Sequence, residues 1–202
     1  MAQTATAAPV ATGPGRYHWT VDTFYRAINA GVFEEPERLE LVRGQIWEKE
    51  NVKPPHARVT ERIARLLRAS FEPTFWVLEE KPLHLMSDGE PTPDVQVVTG
   101  SPDEYEDRHP TSADVRLVVE VADASADRDT GEKALLYAEA GIPEYWVSLI
   151  INGELLVYRN PGSDGYPAPQ RLRAGDSVAP LFAPDVAIRV ADLLPRTREP
   201  QA

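Results

Sequence analysis

Asp94, Glu120 and Lys133 have the residue types, and come in the order, that hydrolysis of a phosphoester could use. Glu120 stands inside Leu117 to Val121, an apolar, β-rich run with the length of a strand buried on both faces. An ionised carboxylate taken out of water is strongly unfavourable unless a cation or a set of donors meets it. Asp94 follows Pro93 and opens a second short apolar run. Two carboxylates at corresponding ends of neighbouring strands could share a divalent cation, Mg²⁺ or Mn²⁺, which acidifies a bound water and neutralises charge on a phosphate. Lys133 could then orient the nucleophile or stabilise the pentavalent transition state.

Each residue also has a plainer account. Asp94 could cap a turn, Glu120 could be the structural ion-pair partner of Lys133, and Asp129 could be a helix N-cap with Glu132 returning a bond. The ordered set favours chemistry over three separate structural roles. Face parity adds a geometric condition: Asp94, Gln96 and Val98 share one face of their strand, and Val118, Glu120 and Ala122 share one face of theirs. In the right register the two carboxylates converge.

The elements that must position these groups follow from periodicity. Met1 to Gly15 has almost no bulky side chains and reads as a disordered tail. Thr20 caps a helix with Val21, Phe24, Tyr25 and Ile28 as its stripe, and Gly31 stops it. Arg38 to Glu48 reads as a hairpin turning at Arg43-Gly44, closed by Pro54 and Pro55. A second helix runs from about His56 to Ser70 on Val59, Ile63, Leu66 and Leu67. Phe75 to Leu85 and Pro93 to Thr99 read as paired strands. The helix after the Glu120 strand covers Thr130 to Ala140 and puts Lys133, Leu136, Tyr137 and Ala140 on one face. Gly141-Ile142-Pro143 ends it, Glu144 to Ile151 is a strand, and Asn152-Gly153 turns into Glu154 to Arg159. Two further short strands finish a domain spanning 16 to 195, and 196 to 202 is a C-terminal tail. The fold class is α/β: a mixed sheet flanked by helices, with added C-terminal hairpins.

Arg58, Arg62, Arg65 and Arg68 form a basic ridge on the second helix, either an ordinary solvated face or a set of phosphate contacts. His56 precedes them and reads more simply as a helix-end residue than as a ligand. The 202 residues suffice for one core without staples, and the absence of cysteine excludes disulfides and thiolate metal sites. No signal-like or membrane-length apolar run occurs, which points to a cytoplasmic, soluble protein with no membrane contact. The formal net charge of −11 disfavours broad binding to nucleic acid and leaves room only for weak or local binding.

Pro93-Asp94, Val118-Val119-Glu120-Val121, Asp129, Lys133, Tyr137 and Ala140-Gly141-Ile142-Pro143-Glu144-Tyr145-Trp146 together closely resemble the Uma-two family of restriction endonucleases, a branch of the PD-(D/E)xK superfamily. The likeness takes in Leu39-Glu40-Leu41-Val42 with Gly44, and His56, and runs in order from about Tyr17 to Leu194. It implies a restriction-endonuclease-like core and Mg²⁺-dependent hydrolysis of DNA phosphodiesters, with Asp94 and Glu120 as metal ligands and Lys133 as the catalytic lysine. The superfamily lysine normally follows its acid by two residues, where this chain has Ala122, so its role passes to Lys133 or is missing. Arg43 and Gln45 flank Gly44 where the family often has an acid. Glu40 is therefore expected only as a supporting or additional metal residue, and His56 and Asp129 only as supporting residues.

Three functions compete: a metal-dependent DNA endonuclease, expected as a homodimer; a non-catalytic module that dimerises through an exposed aromatic strand; and a metal-dependent hydrolase of a small phosphorylated substrate. The intact acid pair and lysine favour the first, and the negative charge favours the others.

Overall fold

A computed structural model describes residues 16–49 and 53–196, so the expected tail over 1 to 15 and all but Arg196 of the expected C-terminal tail lie outside the described residues. Thr20 caps α1 (Val21–Asn29) in a reciprocal box with Thr23. The hairpin β1 (Leu39–Val42) and β2 (Gln45–Glu48) turns at Arg43 and Gly44, both at positive φ, 49° and 73°. That pair of left-handed residues matches the twist of a two-residue hairpin, and a Cβ on Gly44 would also lie 2.2 Å from the His18 ring.

The second helix, α2 (Pro54–Phe71), begins two residues before the expected start. Pro54 and Pro55 do not close the hairpin; they open the helix, where a missing N–H goes unneeded. Its apolar stripe, Val59, Ile63, Ala64, Leu67 and Phe71, packs on one face of the sheet.

That sheet has six strands in the order β3 (Trp76–Glu79), β4 (Val95–Val98), β5 (Val115–Ala122), β6 (Glu144–Leu149), β7 (Glu154–Arg159) and β8 (Gln170–Arg173). Only β5 and β6 are parallel; the other neighbours are antiparallel, giving the expected mixed sheet. The first of these strands stops at Glu79 instead of running on to Leu85, because Glu80 takes a positive φ of 49° and turns the chain away. Pairing of β6 with β7 leaves 150 to 153 as a four-residue loop, so Asn152-Gly153 is its second half and not a two-residue turn.

The parallel pair needs a crossover, and this supplies α3 (Ala126–Thr130) and α4 (Glu132–Glu139). The single helix expected over Thr130 to Ala140 is thus two pieces, broken at Gly131 (φ −106°, ψ −99°). Ala134 and Tyr137 of α4 pack with Val118, Ala122, Tyr145 and Val147 on the sheet face opposite α2. Every residue of β6 is buried between β5 and β7, which removes the exposed aromatic strand proposed for dimerisation. Two short strands, β9 (Ser177–Val178) and β10 (Ile188–Arg189), pair beyond the sheet and help close the α2 side of the core.

Candidate active site

In the antiparallel register Val95 faces Val119 and Gln96 faces Val118, so Asp94, one residue before β4, arrives beside Glu120. The two acids are tied through the backbone. The Asp94 N–H donates to Glu120 Oε2 at 3.3 Å, and Asp94 Oδ2 accepts from the Val121 N–H at 2.6 Å. Because side chains alternate along β5, Glu120 points to the α4 side, where the crossover delivers Lys133 and, one turn on, Tyr137. Lys133 Nζ lies 3.0 Å from Glu120 Oε1, and the Tyr137 hydroxyl donates to the same oxygen at 2.9 Å.

The hairpin contributes Glu40 from the opposite side. Its Oε2 is 3.2 Å from Lys133 Nζ and also accepts from the Thr92 N–H at 3.1 Å. Asp129, at the end of α3, is 3.9 Å from the same ammonium and receives the Ser125 hydroxyl at 2.6 Å. From the first turn of α2, His56 Nε2 comes within 3.3 Å of Asp94 Oδ2. The sheet, both crossover helices, the hairpin and α2 therefore all end at one cavity of about 310 Å³.

Relative exposures of 1% for Glu40, 3% for Glu120, 3% for Asp129 and 5% for Lys133 make this a buried charge cluster. Burial disfavours the Lys133 ammonium, but Glu120, Glu40, Asp129 and Asp94 outweigh it and hold its pKa well above the ordinary lysine value. Burial pushes Glu120 well above the carboxylate range; Lys133 opposes this, and Asp94, Asp129 and Glu40 reinforce it. Asp129 is raised to about 6 by burial against the pull of Lys133 and Ser125. His56 is raised as well, because Asp94 overcomes the effect of burial. Four carboxylates against one lysine leave the cluster short of positive charge.

A hard divalent cation fits that shortage and that all-oxygen donor set. Asp94 and Glu120 could hold it, with Glu40 and Asp129 nearby. Among the described residues no group of three or more His, Asp or Glu side chains is already set around a common point. The reason is visible in the contacts: Glu120 Oε1 is committed to Lys133 and Tyr137, and Glu40 to Lys133 and Thr92.

The expected residues thus divide. Asp94, Glu120, Lys133, Glu40, His56 and Asp129 share the cavity, whereas the four arginines of α2 do not line it. Arg68 instead pairs with Glu79 at 2.6 Å. Sequence reasoning passed over Tyr137 as a site residue, although its place four residues after Lys133 on the same helical face is the signal that finds it. It also passed over Lys49, Lys53 and Arg128 at the cavity mouth. Arg128 stacks on Trp47, 4.7 Å from the ring centre.

Comparison with known proteins finds a matching family and solved structures of similar fold. A family described as "Putative restriction endonuclease", Uma2, matches residues 21–191. A crystal structure of a protein described as a putative nuclease belonging to DUF820, from Anabaena variabilis, is similar in fold. It is 18% identical, with a TM-score of 0.67, covering 86% of this chain and 96% of that one. No curated protein matches. No helix among the described residues is long and apolar enough to cross a membrane.

Proposed function

This chain belongs to the Uma2 family, whose members are described as putative restriction endonucleases, and on that premise we propose that it hydrolyses DNA phosphodiester bonds with the help of Mg²⁺ or Mn²⁺. The observation that carries the reading is the convergence of Asp94, Glu120 and a buried, protonated Lys133 in one cavity. A structural ion pair needs one acid for one lysine. Here several acids surround a single ammonium, and burial raises rather than relieves the cost of that imbalance.

When bound by Asp94 and Glu120, the metal supplies an acidified water and a counter-charge for the phosphate. The remaining work falls to side chains. Lys133 Nζ has three N–H donors, of which Glu120 and Glu40 take two; the third faces Asp129 at 3.9 Å, too long for a strong bond, and is the donor left for a phosphate oxygen. Tyr137 fixes Glu120 Oε1, so that the carboxylate keeps its other oxygen toward Asp94. His56 Nε2 lies 3.3 Å from Asp94, which raises its pKa, so that when protonated it would add a second positive charge at the mouth.

A second reading, hydrolysis of a small phosphorylated substrate, draws on the cavity size, which is at the lower end for ligand pockets. One experiment addresses both. Purified protein is incubated with supercoiled plasmid and, in parallel, with a chromogenic phosphodiester, each with Mg²⁺, Mn²⁺ or EDTA. Metal-dependent nicking that Asp94→Asn abolishes is expected. Turnover of the small ester with no nicking would replace the first reading by the second, and inertness toward both would sink hydrolysis altogether.

A further inference from the structure

A second concavity, about 740 Å³, lies along the outer side of α2 and is walled by Pro54, Pro55, Arg58, Arg62, Arg65 and, from the end of the described chain, Arg196. We propose that this groove is the track on which the phosphate backbone of duplex DNA lies as it enters or leaves the cavity that holds Asp94 and Glu120. The inference rests on the proposed DNA substrate and adds to it the surface that carries binding.

Continuity is the first argument. Lys53 and His56 line the catalytic cavity, while Pro54, Pro55 and Arg58 line the groove, so one turn of α2 separates the two. From His56 to Arg65 the helix rises by roughly 14 Å at about 1.5 Å per residue, which matches about four steps of a duplex at roughly 3.4 Å each.

Charge is the second. In a chain with a net charge of −11, four guanidiniums line one groove with Glu61 as the sole acid among its lining residues. Arg58 and Arg65 are exposed and, like Arg196, have no carboxylate within ion-pair distance among the described residues. The arrangement differs from a simple ridge. Arg62 serves the fold: its Nε donates to Asp192 O at 3.0 Å and its Nη2 to Leu194 O, which pins the terminal segment and so places Arg196 on the far wall. Arg62 is lowered in pKa by burial and then by Arg196 and Arg65, against the opposing pull of Asp192, as happens where guanidiniums are gathered close together. Arg68, engaged by Glu79, is outside the groove. The net negative charge of the chain disfavours a polyanion over most of its surface and so favours approach along this face.

The test measures binding without cleavage, so that its failure and that of the hydrolytic reading are distinguishable. Full-length Asp94→Asn protein is titrated with a labelled 20-base-pair DNA duplex over a range of salt, and wild-type protein in EDTA repeats the measurement should that variant fold poorly. Relative to this reference, Arg58→Ala/Arg65→Ala should weaken binding at least tenfold at low salt and flatten the slope of log K against log salt by about 1.8, at about 0.9 per phosphate contact. Arg171→Ala/Arg173→Ala, which changes net charge equally at the β8 edge, should leave the slope unaltered. An unchanged slope in the first pair, or an equal fall in both, overturns the groove. An RNA duplex that binds more tightly, with the same arginine dependence, overturns the assignment to DNA.

Discussion

Asp94 and Glu120 hold each other by way of the backbone: the Asp94 N–H donates to Glu120 Oε2, and Asp94 Oδ2 accepts from the residue that follows Glu120. Two carboxyl groups are thereby fixed side by side at the end of an antiparallel pair, where they repel each other once both are ionised. If that repulsion is relieved by a divalent cation, Mg²⁺ or Mn²⁺ should raise the melting temperature, since a ligand of the folded state alone stabilises it, by about 2.7 kcal/mol at a hundred times Kd. Asp94→Asn should remove the shift. Calorimetry with and without metal reads this directly, and a variant that keeps the full shift excludes Asp94 as a ligand.

Lys133→Met should lower the hydrolytic rate by about a hundredfold to a thousandfold, the usual effect of losing one preorganised charge. The sequence leads one to expect the fold to survive this change largely intact. The packing argues otherwise, because Glu40 and Glu120 are left buried without their cation, a loss of about 3 to 5 kcal/mol at neutral pH. Burial already raises Glu120 well above the carboxylate range and Lys133 is the group that opposes it, so in the variant stability is greatest at low pH and falls as pH rises through the folded Glu120 value. Adding Glu120→Gln should restore much of the stability and none of the activity. Urea titration alongside the rate assay separates the two, and a rescued rate would reduce Lys133 to a structural partner.

The convergence of Asp94 and Glu120 was legible because side chains alternate along a strand with a period of two, and Lys133 was legible because a parallel connection returns its helix over the same face. Glu40 was ambiguous: nothing local says that a hairpin early in the chain folds over α4, where Arg43 pairs with Glu132 and Glu139. The break at Gly131 and the prolines that begin α2 were misread because both residue types punctuate helices from either side. Glu144 was missed although a signal existed. With a four-residue loop at 150 to 153, Arg159 falls directly opposite it.

That opposition yields a stability prediction. Glu144 is fully buried and receives Arg159 at 2.6 and 2.8 Å, the Trp146 indole N–H at 2.9 Å and the Leu181 N–H at 2.6 Å. Arg159→Ala should destabilise by about 3 to 5 kcal/mol, because it strands a charge. Arg159→Ala/Glu144→Gln should recover part of this, since the neutral amide strands no charge and its oxygen can still accept from one of the two donors, Trp146 or Leu181. Equal losses in the single and double variants would show that packing, not charge, dominates.

Acid stability has an identifiable contributor in Asp114. Its carboxylate takes two bonds from Arg108, at 2.7 and 3.2 Å, and two from Thr111, and these hold its pKa at about 2, below the ordinary 3.8. A folded value below the unfolded one gives stability that is complete above the unfolded value and is lost as pH falls through about 2. Asp114→Asn should therefore lower the stability at pH 5 to 7 while narrowing the gap to wild type as the pH approaches 2. The partly exposed pair is screened, so the difference should shrink in high salt. An unchanged acid transition would assign the steepness to other carboxylates.

The way Lys133 meets its acids has a bearing on biosynthesis. A lysine two residues from its acid would stand beside it in any chain that forms that one strand. Here the ammonium rides on a crossover, between an acid from the early hairpin and another from the central strand, so three distant stretches must dock before the charges balance. Contacts of such long range are the late ones in folding. A nascent or partly unfolded chain carries the same residues but no assembled centre, and whatever reaction the finished site performs is withheld until translation has passed Lys133 and the sheet has closed around it.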